Sequence, residues 1–170
     1  WMARHLGPEL WGTLNYALAL VILFGPISRL GLEGVVVNEL MKRPQDRDRI
    51  LGSSFALRIA GGGLSMAATI VLVALLRPGD SISMILVAII SFGWLFQAYD
   101  AIDVFFQADE RLKYPVHAKS VGLVVSNLLK IYFILTDAPL PAFAAAAALE
   151  IVVSAGALVV AYRIRGLRIG

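Results

Sequence analysis

The chain has 170 residues, of which 59% are hydrophobic and only 16% charged, and its mean hydropathy is +0.79. Soluble domains run nearer half apolar and a quarter charged, so this balance excludes an ordinary water-soluble core. The net charge of +3 and pI near 9.5 come from basic residues separated by long uncharged stretches, which excludes a nucleic-acid-binding face.

A helix needs roughly 20 mostly apolar residues to cross about 30 Å of hydrocarbon, and about five such stretches follow one another along the chain. The first covers residues 10–40, opening at Trp11 and uncharged as far as Ser28. Pro26 and Gly31 predict a kink in one long helix, and Glu33 and Glu39 predict that its second half leaves the membrane or lines an interior face. A polar linker, Lys42 to Arg49, offers Asp46 or Asp48 as a cap. The second span, residues 50–76, carries Arg58 and the run Gly61-Gly62-Gly63. Three glycines would weaken a helix in water, but in a membrane small residues let neighbouring backbones approach.

The composition of Arg77-Pro78-Gly79-Asp80-Ser81 predicts a turn. The third span, residues 82–109, is uncharged to Tyr99 and continues at helical spacing through Asp100 and Asp103. The fourth, residues 114–136, contains Lys119 and Lys130. A tight turn from Thr136 to Pro141 leads into the fifth, residues 141–163, with Glu150 near its middle and an alanine run suited to close packing. No β alternation competes with this reading. The fold class expected is all-α, a polytopic transmembrane bundle of about five spans.

The basic residues supply an independent check. Lys42, Arg43, Arg47 and Arg49 fall in the first connection, Arg111, Lys113 and Lys119 around the third, and Arg163, Arg165 and Arg168 after the last span. Five alternating spans put all three groups on one side, whereas the two turns on the other side hold Arg77 and, between Thr136 and Pro141, no basic residue. That asymmetry is the positive-inside pattern, so the basic side is read as cytoplasmic. Tyr99, Tyr114 and Tyr162 fall at the inner boundary, as an aromatic belt would.

Ionisable groups at depth cost about 2.5–3.5 kcal/mol on insertion scales and mark candidate functional sites. Arg58, Lys130 and Glu150 are the three in this position. The short turn between the last two spans makes them antiparallel neighbours, which brings Lys130 and Glu150 to depths differing by roughly 6 Å. They could equally be a snorkelling cation and a structural pair. Arg29, Asp100 and Asp103 lie nearer the inner interface. Arg29 completes the translocation set, and the two aspartates are read as solvated. No catalytic constellation is expected. His5 and His117 lack spaced partners for a metal, Gly61-Gly62-Gly63 lacks the Lys-Ser/Thr of a phosphate loop, and Gly52-Ser53-Ser54 is no nucleophile elbow. No cofactor is called for. Trp1 in place of an initiator methionine, and an end just past a basic turn, are expected of a piece of a longer protein.

The segment Ala3-Arg4-His5-Leu6-Gly7-Pro8-Glu9-Leu10-Trp11-Gly12 resembles the connection after the first helix of polysaccharide flippases. These are the O-antigen and lipid-linked oligosaccharide exporters of the multidrug/oligosaccharidyl-lipid/polysaccharide (MOP) superfamily. Gly31-Leu32-Glu33-Gly34 with Asn38-Glu39-Leu40, Phe105-Phe106-Gln107-Ala108 with Arg111-Leu112-Lys113-Tyr114, and Leu128-Leu129-Lys130-Ile131 are similar to later features in the same order. The closing helix with Phe143 and Glu150, ending in Tyr162-Arg163, resembles the family too. Many relatives carry a basic residue near the position of Asn38, where this chain departs.

The resemblance implies a partial N-terminal lobe, helices two to six of about twelve to fourteen, beside a cavity that opens alternately to each side. It implies a substrate, undecaprenyl-diphosphate-linked oligosaccharide, moved across the cytoplasmic membrane of a bacterium or archaeon and coupled to an ion gradient. Arg58 and Lys130 would then meet diphosphate or sugar acids, and Glu150 would balance Lys130 or join ion coupling. Membrane lipid is the other partner, and nucleic acid is not one. A drug/cation antiporter of the same superfamily would instead need acidic cavity groups. A membrane glycosyl or phosphoglycosyl transferase would need a sizeable aqueous loop, and every connection here is short. A scaffold would use its polar residues only to join helices.

Overall fold

A computed structural model describes residues 2–29, 31, 33–108 and 113–164. Its helices are α1 (Met2–Arg29), α2 (Glu33–Lys42), α3 (Arg47–Leu76), α4 (Ser81–Phe96), α5 (Asp100–Ala108), α6 (Lys113–Leu135) and α7 (Leu140–Ile164), and the described residues contain no strand. Five stretches are long and apolar enough to cross a membrane: Leu6–Ile27, Arg47–Leu76, Ser81–Gln107, Lys113–Leu135 and Leu140–Ile164. The chain is an all-α bundle of multi-pass membrane type.

α4 lies at the centre, packed against α1, α3 and α7, while α6 lies outside and rests chiefly on α7. One apolar core joins Leu14, Ala17 and Val21 of α1 to Leu86, Val87, Ile90 and Trp94 of α4 and to Phe143 and Ala144 of α7. A second core at the basic end gathers Leu40 of α2, Leu51 of α3, Phe106 of α5 and Leu158 and Tyr162 of α7. Large apolar side chains such as Leu64, Leu75, Leu128 and Leu135 point outward, as lipid-facing positions do. What holds the helices close is the small residue. A Cβ on Gly62 would sit 2.9 Å from the Trp94 carbonyl oxygen, so α3 and α4 meet backbone to backbone there, whereas one on Gly63 would meet nothing within 4 Å.

Three expectations change. The first stretch is not one kinked helix. α1 stops at Arg29, Gly31 takes φ 61°, and α2 begins at Glu33, because the left-handed backbone at Gly31 ends the hydrogen-bond ladder. A second interruption falls at Gly7 (φ 76°), immediately before Pro8, whose fixed φ suits the start of the membrane helix. Asp103 is not a solvated carboxylate. It is buried, ion-paired with Lys119 of α6 and hydrogen-bonded by Gln107 Nε2 at 3.2 Å, so it ties α5 to α6. The three tyrosines do not form a lipid-facing belt. Tyr162 is fully buried with its ring 5.5 Å from Phe105, Tyr114 stacks on Phe106 at 5.2 Å, and Tyr99 meets Phe55 edge-on at 5.1 Å. Edge-to-face pairing accounts for Tyr99 and Tyr162, and stacking for Tyr114, which alone of the three stays exposed.

At the opposite end Asp80 caps α4. Its Oδ1 accepts from the Ser83 backbone N–H at 3.0 Å, its Oδ2 accepts from the Ser83 hydroxyl at 2.7 Å, and Arg77 Nη1 lies 3.2 Å away. These bonds, the Ser83 backbone N–H first, hold its carboxyl below the ordinary value of 3.8. A carboxyl lowered in the folded state stabilises fully above its unfolded pKa and loses that contribution as pH falls through the folded value. Titration of Asp80 by carbon-detected NMR is therefore expected to give a midpoint below that of free aspartate, and Ser83→Ala should raise it. A midpoint at or above the free value would remove the cap from this account.

Candidate functional site

α3 buries an unusual face. Its hidden residues are Leu51, Ser54, Arg58, Gly61, Gly62, Ser65, Thr69 and Val73, a stripe at helical spacing that is mostly polar or small. Its outward residues, among them Leu57, Leu64 and Val71, are apolar. A soluble helix would place these two faces the other way round. In a bilayer the inversion follows from cost, since polar groups are expelled from lipid into the bundle.

Arg58 is the extreme case. It is 2% exposed, and its Nε, Nη1 and Nη2 make no hydrogen bond among the described residues. It lies between Phe55, which meets Tyr99, and Gly62, which meets Trp94, so it sits at the level of the Gln97–Tyr99 turn that joins α4 to α5. The hydroxyls of Ser54 and Ser65, one turn below and two turns above, are likewise buried and unpartnered. Thr69 by contrast donates to the Ser65 carbonyl at 2.7 Å, the ordinary intrahelical solution. A buried guanidinium without an acceptor is costly.

Lys130 of α6 and Glu150 of α7 face each other across the hairpin, with Nζ 3.9 Å from Oε2 and both side chains partly buried. The hairpin is locked around them. Ser126 Oγ donates to the Ala146 carbonyl at 2.9 Å, and Gly122 lies so close to α7 that a Cβ there would reach the Glu150 carbonyl oxygen at 2.6 Å.

A cleft of about 660 Å³ opens between α1, α4 and α7, on the basic half of the bundle. Leu18, Val21, Ile90, Trp94 and Ile151 form its apolar wall, and its ionisable lining is Glu150 together with Glu33 at the start of α2. Gln97 also borders it, so the α4–α5 turn has the cleft on one side and the Arg58 face of α3 on the other.

Among the four candidates named from the sequence, the structure thus places Glu150 in the cleft and Lys130 beside Glu150. Arg58 is buried in the α3 stripe and does not line the cleft. The side chain of Arg29 lies outside the described residues, as do Arg111, Arg165 and Arg168. Sequence reasoning left Glu33 between membrane exit and an interior face, and it missed Gln97 as a lining residue and Ser54 and Ser65 as companions of Arg58. The spacing of Ser54, Arg58 and Ser65 at four and seven residues was the available signal for the latter. The chain matches no protein-family model, and no curated protein or solved structure matches it significantly.

Proposed function

We propose that this chain forms part of a membrane transporter that flips undecaprenyl-diphosphate-linked oligosaccharide from the inner to the outer leaflet of the cytoplasmic membrane for polysaccharide or O-antigen export. The observation that carries the reading is the buried guanidinium of Arg58, which has no acceptor among the described residues. A flippase must lower the cost of drawing an anionic, hydrated head group through hydrocarbon, and a desolvated cation that gains its partner only from the substrate does this. The 3-10 turn Gln97–Tyr99 interrupts a membrane helix between the cleft and Arg58, which is where a hinge opening one to the other would sit. The order of motifs shared with the polysaccharide flippases supports the same reading, and an ion gradient coupled through Glu150 fits its place in the cleft.

The test is surface polysaccharide in cells whose only copy of the full-length protein carries Arg58→Ala, Arg58→Lys or Lys130→Ala. Arg58→Ala is expected to reduce export at least roughly tenfold at unchanged protein level, the cost of about 1.4 kcal/mol in one charge-assisted contact. Arg58→Lys should retain part of it and Lys130→Ala should lose a smaller share. Normal export in both alanine variants would remove the flippase reading. A second reading has its own observation, because the ionisable lining of the cleft among the described residues is two carboxylates. A cation-coupled antiporter would keep its activity in Arg58→Ala and lose ion-driven efflux of a cationic dye in Glu33→Gln or Glu150→Gln.

A further inference from the structure

A second groove, about 360 Å³, lies at the basic end between α2 and the first turns of α3. Its ionisable residues are Glu39, Arg43, Asp46 and Arg49, its hydroxyls belong to Ser53 and Ser54, and Val35, Val36, Ile50 and Leu57 supply apolar wall. Two carboxylates and two guanidiniums balance, so the groove offers no net attraction to a simple anion or a simple cation. Ser53 is exposed on the groove wall, so its hydroxyl is open to a ligand. Arg43 Nε and Glu39 Oε2 stand 3.8 Å apart, beyond hydrogen-bonding distance, so neither charge is saturated by the other. Val35 and Leu57 are 60% and 49% exposed, which opens the apolar wall sideways to the acyl region of a bilayer.

We propose that the α2–α3 groove binds the head group of a zwitterionic phospholipid bearing a primary ammonium, phosphatidylethanolamine. Phosphate and ammonium in that head group are joined by a two-carbon link, so one molecule presents both signs within a few ångströms, as the groove does. The phosphate takes Arg49 and the Ser53 hydroxyl, and the ammonium, with three N–H donors, takes Glu39 and Asp46. The acyl chains lie along Val35 and Leu57. The inference is independent of what the protein transports. It rests on this groove alone.

The purified full chain, delipidated in detergent, would be offered equimolar phosphatidylethanolamine, phosphatidylcholine and phosphatidylglycerol of identical acyl chains and read by native mass spectrometry. Phosphatidylethanolamine is expected to be retained about fivefold over either competitor, the upper range for one exposed charge pair. Glu39→Gln with Asp46→Asn, both at accessible positions, should erase the preference over phosphatidylcholine while the protein stays folded. Ser53→Leu, at an exposed position on the wall, should lower retention of phosphatidylethanolamine. Equal retention of the three lipids, better retention of phosphatidylglycerol, or an unchanged preference in the double variant would overturn the assignment. So would the absence of any retained lipid.

Discussion

Replacing Gly122 by leucine is expected to pull α6 away from α7 and leave little folded protein. A Cβ at this position would already lie 2.6 Å from the Glu150 carbonyl oxygen and collide with the Ser154 side chain. The obstacle is backbone, so no rotamer change relieves it. Overpacking costs typically 1–3 kcal/mol even where side chains can adjust, and here the penalty is expected to reach at least about 3 kcal/mol. The Ser126 to Ala146 bond, one turn along the same seam, would break as the helices part. That bond accounts for about another 0.6–1.7 kcal/mol by the measured range for membrane hydrogen bonds. α6 has no other large neighbour to hold it. Gly156→Ala in α7 is the control, since a Cβ there meets nothing within 4 Å, and it should be neutral or stabilising by roughly 0.5–1 kcal/mol. Reversible unfolding in detergent, with circular dichroism as readout, separates the two. A Gly122→Leu protein as stable as its parent would mean that the α6–α7 seam is not packed as described.

The second large effect concerns Arg58, and its expected sign is unusual for a buried residue. Arg58→Met should leave stability unchanged or raise it by about 1–3 kcal/mol, because it removes a desolvated charge and keeps most of the stem volume. Removing a buried member of a satisfied ion pair would do the reverse and cost about 3–5 kcal/mol. Arg58 has no such pair among the described residues, so the two cases are distinguishable by unfolding in detergent. Taken with the export assay, a more stable and inactive Arg58→Met protein would identify a charge kept for its work rather than for the fold. Destabilisation by several kcal/mol would show that Arg58 has a structural acceptor and would withdraw the observation on which the flippase reading rests.

Much of this could be read from the chain. The five apolar stretches are a local property, since each must match the bilayer's thickness whatever its neighbours do. Arg58 was legible as a charge within such a stretch, and the approach of Lys130 to Glu150, 3.9 Å in the structure, followed from hairpin length and helical rise. Other features were not local. Asp103 lies near an interface by sequence, yet only the partnership with Lys119 sixteen residues on explains its burial. Gly31 reads as a loosened helix, but its left-handed backbone is what separates α2 and turns Glu33 toward the cleft. Gly62 and Gly63 are identical in composition and adjacent in sequence. Only the approach of Trp94 makes one of them a packing requirement.

By itself, then, the sequence determined that this is a helical membrane protein, where its spans fall, and which few charges must be accounted for. Hydrophobic length and the price of an ion in lipid act on each segment separately, so no partner is needed to read them. Tertiary structure alone decided which face of each helix is hidden. In a bilayer both faces can be apolar, and the periodicity that marks the core side of a soluble helix is erased. The choice passes to close approaches at glycine and serine and to polar groups that must leave the lipid, and these exist only once the helices have met.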